Sequence, residues 1–373
     1  MIIAVLKEPA PETRVSLLPE HLATLQKWNC TVWIEHDAGL ASFATDQKYI
    51  DAGASVQDRK KIVSEADILL SINPIAESDL AQCKASVLLG FYQALYNAAL
   101  IHTWATKKLT VFSMDMLPRT TRAQSMDVLS SQANIAGYKA VLLAAHLYPR
   151  YFPMFMTAAG SIPPAKVLIL GAGVAGLQAI ATAKRLGAVI EVFDTRPAVK
   201  EEVMSLGAKF VEVEGAADAS KAGGYAVEQS AEFLEKQKLR IAEAVAKADI
   251  VITTAQIPGK KAPILITDDM LHAMKNGSVI IDIAAATGGN TSQTKNNDTV
   301  QYHNVMIAGK SFLPAAMPSD ASKLYGKNIL NFLQLIINKE GELHLDFEDD
   351  LVKGTCVAYQ GNITNERISA LLT

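Results

Sequence analysis

The sequence predicts an α/β protein made of two Rossmann-like domains with parallel sheets, joined by long helices, with a cleft between them. Three observations carry this prediction. Short β-like runs alternate with helical patterns from end to end, which is typical of parallel α/β sheets. Runs such as VLIL and SVIIDI lack polar alternation, as expected for strands covered on both faces. The 373 residues are enough for two domains of ordinary size.

The alternation falls into two halves, and the second begins at residue 165. In the first half the predicted strands are IIAVLK, TVWIEH, ADILLSI, SVLLGFY and LTVFSMD, with helices at LPEHLATLQKWN and near 95–107. In the second half they are KVLILG, VIEVFD, ADIVITT, SVIIDIA and VMIAG, with helices ending at Gly187 and spanning 267–275. The last fifty residues contain one further strand-like run, ELHLDF, and are too few for a third domain.

Two long helical patterns, at 124–147 and 320–338, join the two halves. We therefore expect one domain formed by residues 1–126 together with 315–373, and a central domain formed by residues 127–314. A cleft between two such domains is the default position for a binding site.

Composition and charge exclude several classes of protein. Charged residues make up 20% of the chain and aromatic residues 6%, as in a globular protein rather than a disordered one. The net charge of −3 provides no basic surplus for binding nucleic acid. The three cysteines lie far apart and show no CxxC spacing, so neither a metal site nor a disulfide framework is expected. The start, MIIAVLKEPAPETR, is not that of a signal peptide, and no apolar run is long enough to span a membrane.

The most specific pattern of the central domain is the glycine-rich run KVLILGAGVAGLQAIATAKRLGAVIEVFDTR. It predicts a strand, a turn, an Ala-rich helix and a second strand, and each glycine of the turn has a physical reason in a dinucleotide-binding motif. Gly171 permits the tight turn, Gly173 lets the backbone approach a pyrophosphate, and Gly176 lets helix and strand pack closely. Free N–H groups and the helix dipole would favour the phosphate charge. The alternative is a glycine-rich turn that binds nothing.

Asp194 ends the second strand of this run, 18 residues after the last glycine. A carboxylate at this position accepts hydrogen bonds from a ribose diol and repels a 2′-phosphate, which favours NAD over NADP. Arg196 argues in the other direction, because an arginine in this turn can bind a 2′-phosphate.

The segment 214–245 interrupts the alternation and is too long for an ordinary connection. Gly224 and Tyr225 could form a hinged loop that swings an aromatic ring over a ligand. The alternative is an insertion without a role.

Two loops, 253–263 and 282–290, follow predicted strands of the central sheet. Ligands in open α/β sheets bind outside the carboxyl ends of strands, so both loops are candidate walls of a site. Thr254 and Gln256 are there either as cofactor contacts or as ordinary polar loop residues.

The segment MLPRTTRAQSMDVLSSQANIAGY, residues 116–138, concentrates hydrogen-bonding side chains at the start of an otherwise apolar helix. Thr121 and Gln124 fit a capping box in which Thr121 is the N-cap. With a helix from there to residue 134, Gln124 and Asp127 fall on one face with Ser130 beside them. Two interpretations stand: a capped helix with solvated polar residues, or a polar patch inside a cleft.

Three runs, RAQSMDVLSSQANIAGYKAV, FPMFMTAAGSIPPAKVLILGAGVAGLQAIATAKRLGA and TTAQIPGKKAPILIT, closely resemble the NAD(H)-binding domain I of proton-translocating nicotinamide nucleotide transhydrogenase. This family belongs to the alanine dehydrogenase/transhydrogenase superfamily. The start KEPAPETRVSLLPE and the tail VKGTCV extend the resemblance over almost the whole chain. It implies that 127–314 is the NAD(H)-binding domain, with a mobile loop at about 214–240.

The resemblance also implies roles for individual residues. The residues that match the catalytic, nicotinamide-contacting positions of the family are Arg119, Gln124, Asp127 and Ser130, with Tyr225 from the mobile loop. The further residues that match nucleotide-contacting positions are Thr120, Thr121, Gly171, Gly173, Val174, Gly176, Asp194, Thr195, Arg196, Gly224, Gln237 and Gln256. Gln256 stands where the family pattern has a leucine, so a contact there is expected from its backbone.

The resemblance implies direct hydride transfer from NADH to NADP⁺ bound on a partner domain, coupled to proton translocation by a membrane subunit. Passing hydride between two nicotinamides needs no proton donor, because the positive charge of the acceptor ring is simply neutralised. Such a protein needs positioning groups more than a general acid or base. The 121–134 segment supplies amide, carboxylate, guanidinium and hydroxyl groups and no histidine.

An amino-acid dehydrogenase of the alanine dehydrogenase type is the main alternative, and a non-catalytic NAD-binding regulator is a third class. The alanine dehydrogenases use a lysine and a histidine in the first domain to hold a carboxylate and pass a proton. At the corresponding positions this chain has Ser71 and Ile72, and Phe91 and Tyr92. Ala286 stands where an aspartate is expected in that family, and an acid is common there in transhydrogenases too. These absences argue against keto-acid chemistry.

The resemblance finally implies an assembly. The chain matches the separate α1 subunit of a split bacterial enzyme, with the membrane-spanning and NADP(H)-binding subunits on other chains. A homodimer, located in the cytoplasm and peripheral to the inner membrane through those partners, is the expected state.

Overall fold

The structure is a computed structural model that describes residues 1–213, 215 and 230–372. The chain forms two compact units. Unit 1 contains Met1–Gln132 and Ala315–Thr373, and unit 2 contains Ala133–Pro314. Each unit is built around one large sheet, and the described helices all lack either the length or the apolar character needed to cross a lipid bilayer.

The sheet of unit 1 has eight strands, six of them parallel. Numbered along the whole chain, they are β1 (Ile2–Val5), β2 (Thr31–Glu35), β3 (Ser55–Gln57), β4 (Ile68–Leu70), β5 (Val87–Gly90), β6 (Thr110–Ser113), β16 (Cys356–Tyr359) and β17 (Asn362–Ile363). Their order is β17-β16-β6-β5-β4-β1-β2-β3, with β16 antiparallel to β6 and β17 antiparallel to β16. The parallel portion has the doubly wound order 3-2-1-4-5-6.

Helices cover both faces of this sheet and bury two apolar clusters. They are α1 (Leu22–Lys27), α2 (Asp46–Asp51), α3 (Arg59–Glu65), α4 (Glu77–Leu80), α5 (Ala98–Thr106), α11 (Pro318–Ile336), α12 (Asp350–Thr355) and α13 (Glu366–Ser369). The long helix α11 begins with Pro318 in its first turn, where a missing N–H costs nothing. Its apolar face, including Ile329, Phe332 and Leu333, belongs to the core on one side of the sheet.

In the part of unit 2 that the structure describes, the sheet has seven strands in the order β11-β10-β9-β12-β13-β15-β14. They are β9 (Lys166–Leu170), β10 (Val189–Phe193), β11 (Lys209–Phe210), β12 (Ile250–Thr253), β13 (Val279–Asp282), β14 (Thr299–Tyr302) and β15 (Val305–Gly309). All neighbours are parallel except β14 and β15. The central strands β12 and β13 are buried along their whole length, which explains why their sequences are apolar without alternation.

The helices of unit 2 lie on both faces of this sheet, and a hairpin stands apart from it. The helices are α6 (Val128–Leu147), which begins in unit 1, and α7 (Val174–Arg185), α8 (Lys200–Ser205), α9 (Ala231–Lys247) and α10 (Asp268–Ala273). The hairpin consists of β7 (Phe155–Thr157) and β8 (Gly160–Ile162). The fold class predicted from the alternation of strands and helices is confirmed; within the described residues, antiparallel pairing is found at the edges of the two large sheets and in the separate hairpin.

The C-terminal fifty residues differ from the prediction. The run ELHLDF is not a strand, and only Leu343 forms an isolated bridge, to Ile337. The strands of this region are β16 and β17 instead, because the run CVAY pairs with the edge strand β6 and extends the first sheet. The apolar residues of CVAY are buried in this pairing. The alternation within ELHLDF provides no comparable burial.

The predicted mobile loop at 214–240 falls largely outside the described residues, and so do Gly224 and Tyr225. From Ala231 the chain is helical, and α9 is capped by the Ser230 hydroxyl, which accepts a hydrogen bond from the Phe233 N–H. The last ten residues of the predicted loop are therefore the first half of a capped helix whose inner face includes Phe233 and Ile241.

Candidate functional site

The glycine turn lies between β9 and α7 at the point where the strand order of the second sheet reverses, beside β12. Gly171 has a φ of +106°, and a Cβ there would lie 2.4 Å from Thr254 Oγ1. A Cβ on Gly176 would lie 1.9 Å from the Gly171 carbonyl oxygen. A Cβ on Gly173 would meet nothing within 4 Å in the described structure. The turn is therefore closed at Gly171 and Gly176 and open at Gly173, where a ligand can approach the backbone.

Asp194 follows β10 and closes the turn from the other side. Its carboxylate is almost completely buried and accepts a hydrogen bond from the Ala172 N–H at 2.7 Å. The Arg196 backbone N–H and guanidinium donate to the same carboxylate at 2.8–2.9 Å. These hydrogen bonds raise the pKa of Arg196, while burial acts against them. Asp194 thus supports the glycine turn and orients Arg196, and Thr195 is half-buried between them.

The loops after β12 and β13 are tied together by two fully buried polar residues, Asp282 and Asn290. Asn290 bonds both the N–H and the C=O of Ala255 and also the carbonyl of Pro263. Asp282 accepts hydrogen bonds from the N–H groups of Ala284 and Asn290. The two loops named by the sequence therefore form one rigid structure, and the sequence signal for it was the aspartate at the strand end with an asparagine eight residues later.

The polar residues predicted on these loops and on α9 have different environments. Thr254 donates to the carbonyls of Leu170 and Gly171, so it braces the glycine turn. Gln256 is exposed and donates to the Ile283 carbonyl at 3.3 Å. Gln237 is buried on α9, and its Oε1 has no hydrogen-bond partner in the described structure. The remaining turn residue, Val174, is partly exposed at the first position of α7.

The segment before α6 corrects the capping-box prediction. Residues Thr121–Met126 form a 3-10 helix with Thr120 at its N-cap, and no side chain caps it. The α-helix begins only at Val128, directly after Asp127. The Asp127 carboxylate caps it, accepting from the Ser130 N–H at 2.9 Å and from the Ser130 hydroxyl at 2.6 Å. Thr121 is therefore not the cap, because the chain breaks at Asp127, whose backbone is extended.

Gln124 is consequently not part of a capping box, and its side chain is exposed, as are those of Arg119 and Thr120. Asp127 and Ser130 are half-buried and paired with each other. Asp127 thus caps α6, and the side chains of Arg119, Thr120 and Gln124 are exposed on the segment before it.

The segment is anchored within unit 1 by contacts that the sequence had not predicted. Arg122 donates to both carboxylate oxygens of Asp349, at 2.7 and 2.6 Å, and also bonds Asp350. Asp349 is itself the N-cap of α12. Arg14, held by Glu12, donates to Gln132 Oε1 at 2.8 Å. The only sequence signal for the contact between Arg122 and Asp349 was a basic residue in this segment together with the acidic run FEDD near the chain end.

The reversal point of the first sheet, between β1 and β4, is filled by the protein itself. The Glu8 carboxylate accepts hydrogen bonds from the Ile72 N–H at 2.5 Å and from the Asn73 N–H and side-chain amide at 3.0 Å. Burial raises the pKa of Glu8 to about 7, although these hydrogen bonds lower it. A carboxylate of the chain thus occupies the place where an open sheet of this kind otherwise binds an anion.

The positions compared with alanine dehydrogenase lie beside Glu8 and hold no group that transfers a proton near neutral pH. The Ser71 hydroxyl lies 3.2 Å from the Tyr92 hydroxyl. The backbone carbonyl of Ser71 accepts a hydrogen bond from the Tyr325 hydroxyl at 3.1 Å. Burial raises the pKa of Tyr92 far above its ordinary value. Ile72 is buried and Phe91 is partly buried in the core.

Comparison with known proteins identifies the family. The family model "Alanine dehydrogenase/PNT, N-terminal domain" matches residues 4–136, and "Alanine dehydrogenase/PNT, C-terminal domain" matches residues 140–366. The protein from Rhodospirillum rubrum that is described as the first part of NAD(P) transhydrogenase subunit alpha is 44% identical over 99% of both chains. The protein of the same description from Rickettsia prowazekii is 43% identical over 98% of this chain and 96% of its own.

Solved structures give the same result. The transhydrogenase from Sinorhizobium meliloti is 42% identical, with a TM-score of 0.88 over 97% of this chain and 100% of the other. An L-alanine dehydrogenase has a TM-score of 0.82 over 100% of this chain and 99% of the other, but at 23% identity it shows the fold alone.

The chain belongs to the alanine dehydrogenase/PNT family and, within it, to the NAD(P) transhydrogenase alpha subunits, of which it corresponds to the first part. The predicted family, fold class and enzyme class are confirmed. The alanine dehydrogenase of Staphylococcus haemolyticus is 26% identical over 96% of this chain, so the alternative named from the sequence is only a distant relative.

Proposed function

We propose that this subunit binds NAD(H) and passes hydride directly between NADH and NADP⁺ held on a partner domain. The observation that carries the proposal is the glycine turn, which is open at Gly173 and braced by the buried Asp194 carboxylate. The opening lies at the start of α7, where free backbone N–H groups can bind a pyrophosphate. The adenosine ribose would then lie at Asp194, Thr195 and Arg196.

Arg196 and Asp194 set the choice of nucleotide in this proposal. The arginine guanidinium is occupied by the aspartate, so its charge is largely neutralised where a 2′-phosphate would lie. The carboxylate remains a hydrogen-bond acceptor for a ribose diol. Both effects favour NADH over NADPH.

The nicotinamide, in the same proposal, is held by Arg119, Gln124 and the Asp127–Ser130 pair. Gln124 offers an amide to the carboxamide of the ring, and Asp127 and Ser130 supply acceptor and hydroxyl groups. Thr120 and Thr121 are exposed next to them. Gln237, whose buried oxygen has no partner among the described residues, and the backbone at Gln256 are assigned to further nucleotide contacts, and Gly224 and Tyr225 to a loop that closes over the nucleotide.

The chemistry balances without a protein acid or base. A hydride leaves C4 of the dihydronicotinamide with its electron pair and bonds to C4 of the NADP⁺ ring, so NADH becomes NAD⁺ and NADP⁺ becomes NADPH. No proton is gained or lost by either substrate. The protein contributes orientation and proximity, which can supply about 7–11 kcal/mol of the barrier in well-oriented reactions.

The partner subunits complete the enzyme. We propose that an NADP(H)-binding subunit and a membrane-spanning subunit bind this chain, couple the transfer to proton translocation and hold the chain at the cytoplasmic face of the inner membrane. The relatives described as only the first part of an alpha subunit support the existence of further subunits.

We also propose that the chain forms a homodimer. The hairpin of β7 and β8 and the residue before it carry the exposed apolar side chains of Met154, Phe155 and Met156. Met156 is 72% exposed, and Tyr151 stacks on Phe155. A contiguous apolar patch of this kind is typical of an interface. Replacing Met156 by aspartate should convert a dimer to a monomer in sedimentation analysis, and a monomeric wild type would contradict the proposal.

The decisive experiment mixes the purified chain with the NADP(H)-binding domain of a transhydrogenase. Loading one with NADH and the other with NADP⁺ should produce NADPH, detected by transfer of deuterium from C4 of the labelled NADH. NADH should bind the isolated chain more tightly than NADPH in a fluorescence titration. A folded pair that exchanges no label, or turnover of alanine with NAD⁺ at ordinary dehydrogenase rates, would refute the proposed function.

A further inference from the structure

The polar segment assigned to the nicotinamide is split by a break in its backbone. The 3-10 helix Thr121–Met126 ends before Asp127, which has a ψ of 93°, and α6 starts at Val128. Gln124 lies before this break and Ser130 after it. Their separation depends on the two soft dihedral angles of the residues at the break, because helical hydrogen bonding does not run through it.

One side chain of α11 bonds both sides of the break. The Asn328 side-chain amide donates from Nδ2 to the Ser125 carbonyl at 2.9 Å. Its Oδ1 accepts from the Ser131 hydroxyl at 2.7 Å. Asn328 is buried, and both of its polar atoms are satisfied by these two bonds, so the geometry of the amide is well determined. The amide spans from two residues before Asp127 to four residues after it.

Gln124 and Ser130, which are assigned to the ring, are the sequence neighbours of the two serines that Asn328 bonds. Asp127 and Ser130 pair with each other, and Gln124 is exposed. Within the described residues, Asn328 bonds only Ser125 and Ser131 of this segment. Asn328 therefore bonds the serines that flank Gln124 and the Asp127–Ser130 pair. It leaves the polar side chains of Gln124, Asp127 and Ser130 available to a ligand.

We propose that Asn328 is a positioning residue for the hydride transfer. By bonding Ser125 and Ser131 it fixes the distance between Gln124 and the Asp127–Ser130 pair, so that these groups keep the nicotinamide in its reactive orientation. The inference rests on the proposed function of this segment. A group misplaced by about 1 Å costs on the order of 100-fold in rate, so loss of the amide should slow transfer without abolishing nucleotide binding.

The test compares Asn328→Ala with the wild-type chain in the mixed system with an NADP(H)-binding domain. The rate of hydride transfer should fall by about 10- to 100-fold, while the Kd for NADH stays within about threefold because the glycine turn is untouched. The deuterium isotope effect with NADH labelled at C4 should rise, since transfer becomes slower relative to the binding steps. An unchanged rate, or a loss of NADH binding equal to the loss of rate, would overturn the proposal.

Asn331→Ala is the matched control. Asn331 donates to the same Ser125 carbonyl at 2.8 Å but does not bond Ser131, and it is half-buried. It should transfer hydride within about twofold of the wild type. A loss as large as that of Asn328→Ala would show that the Ser125 contact alone matters and that bridging the break does not.

A second pair of variants keeps the inference testable where Asn328→Ala does not fold. Ser131→Ala removes the hydroxyl on the far side of the break and should reproduce the rate loss, and Ser131→Thr retains the hydroxyl and should restore the rate. Equal rates for these two variants would refute the bridging role. If the wild-type pair itself exchanges no label, the proposed function is refuted, and the role of Asn328 is refuted with it. If the wild-type pair exchanges label and the Asn328 and Ser131 variants are fully active, only the role of Asn328 is refuted.

Discussion

The two glycines of the nucleotide turn should respond in opposite ways to the same substitution. Gly173 has φ −78° and ψ −171°, which any residue adopts, and a Cβ there would meet nothing within 4 Å of the described structure. Gly173→Ala should leave the free energy of unfolding unchanged or raise it by about 0.4–1 kcal/mol, because alanine restricts the unfolded chain more than glycine does. The methyl group would, however, occupy the space in which we place the pyrophosphate.

The expected loss of affinity follows from that overlap. Forcing one methyl group into a well-packed contact costs about 1–3 kcal/mol, which corresponds to roughly a 5- to 150-fold weaker Kd for NADH. Gly176→Ala is the opposite case. Its Cβ would lie 1.9 Å from the Gly171 carbonyl oxygen, well inside the 3.0 Å below which real Cβ contacts do not occur, so the turn and α7 must separate.

The assay is a thermal and urea denaturation of both variants together with a fluorescence titration by NADH. Gly173→Ala should unfold like the wild type and bind weakly, whereas Gly176→Ala should unfold at lower urea concentration by several tenths of molar or more. Wild-type affinity in Gly173→Ala would refute the placement of the nucleotide over this turn. Wild-type stability in Gly176→Ala would refute the account of its packing.

Three further substitutions test other regions of the structure. Asp194→Ala removes the acceptor that braces the Ala172 N–H, and should weaken NADH by at least tenfold and reduce the preference over NADPH, as measured by parallel titrations of both nucleotides. Asp282→Ala leaves the buried N–H groups of Ala284 and Asn290 without a partner and should lower the free energy of unfolding by about 2 kcal/mol or more in urea denaturation. The pKa of Glu8 is raised from 4.5 to about 7. Between these pH values the native state therefore keeps a proton that the unfolded chain has lost. The free energy of unfolding should fall by up to about 3 kcal/mol as pH rises through this window. Glu8→Gln should flatten that region of the stability profile, and an identical profile in the variant would contradict the buried-carboxyl account.

Much of the fold could be predicted because each local pattern agreed with the structure it adopts. The strand at KVLILG, the turn at Gly171 and the helix ending at Gly187 all follow from apolar runs and from the left-handed φ that only glycine adopts readily. The C-terminal strand CVAY was missed because so short a run cannot be told from a helical or irregular segment by its pattern alone. They become a strand when the edge of β6 provides hydrogen-bonding partners.

For the candidate site the sequence proposed residues, and the structure corrects the local arrangement in which they lie. The sequence named Gln124, Asp127 and Ser130, but placed the cap at Thr121, because a capping box assumes a helix that starts at once. The actual start is set by Asp127, whose carboxylate bonds Ser130. The local sequence is compatible with a helix start at Thr121 and with one at Asp127. A local pattern gives no information on which of these two starts is supported by the neighbouring helix α11.

By itself, the sequence determined the two-sheet α/β class and the glycine turn, since these depend on hydrophobic periodicity and on backbone freedom within short runs, and the resemblance of its motifs indicated the family. The tertiary structure decided which polar side chains form hydrogen bonds within the protein. Asp194 is held by Ala172 and Arg196, Glu8 fills the reversal point of the first sheet, and Asn328 bridges the break at Asp127. The physical reason is that a buried polar atom must find its partner across the fold, and the partners of Glu8 and Asn328 lie about 64 and 200 residues away along the chain.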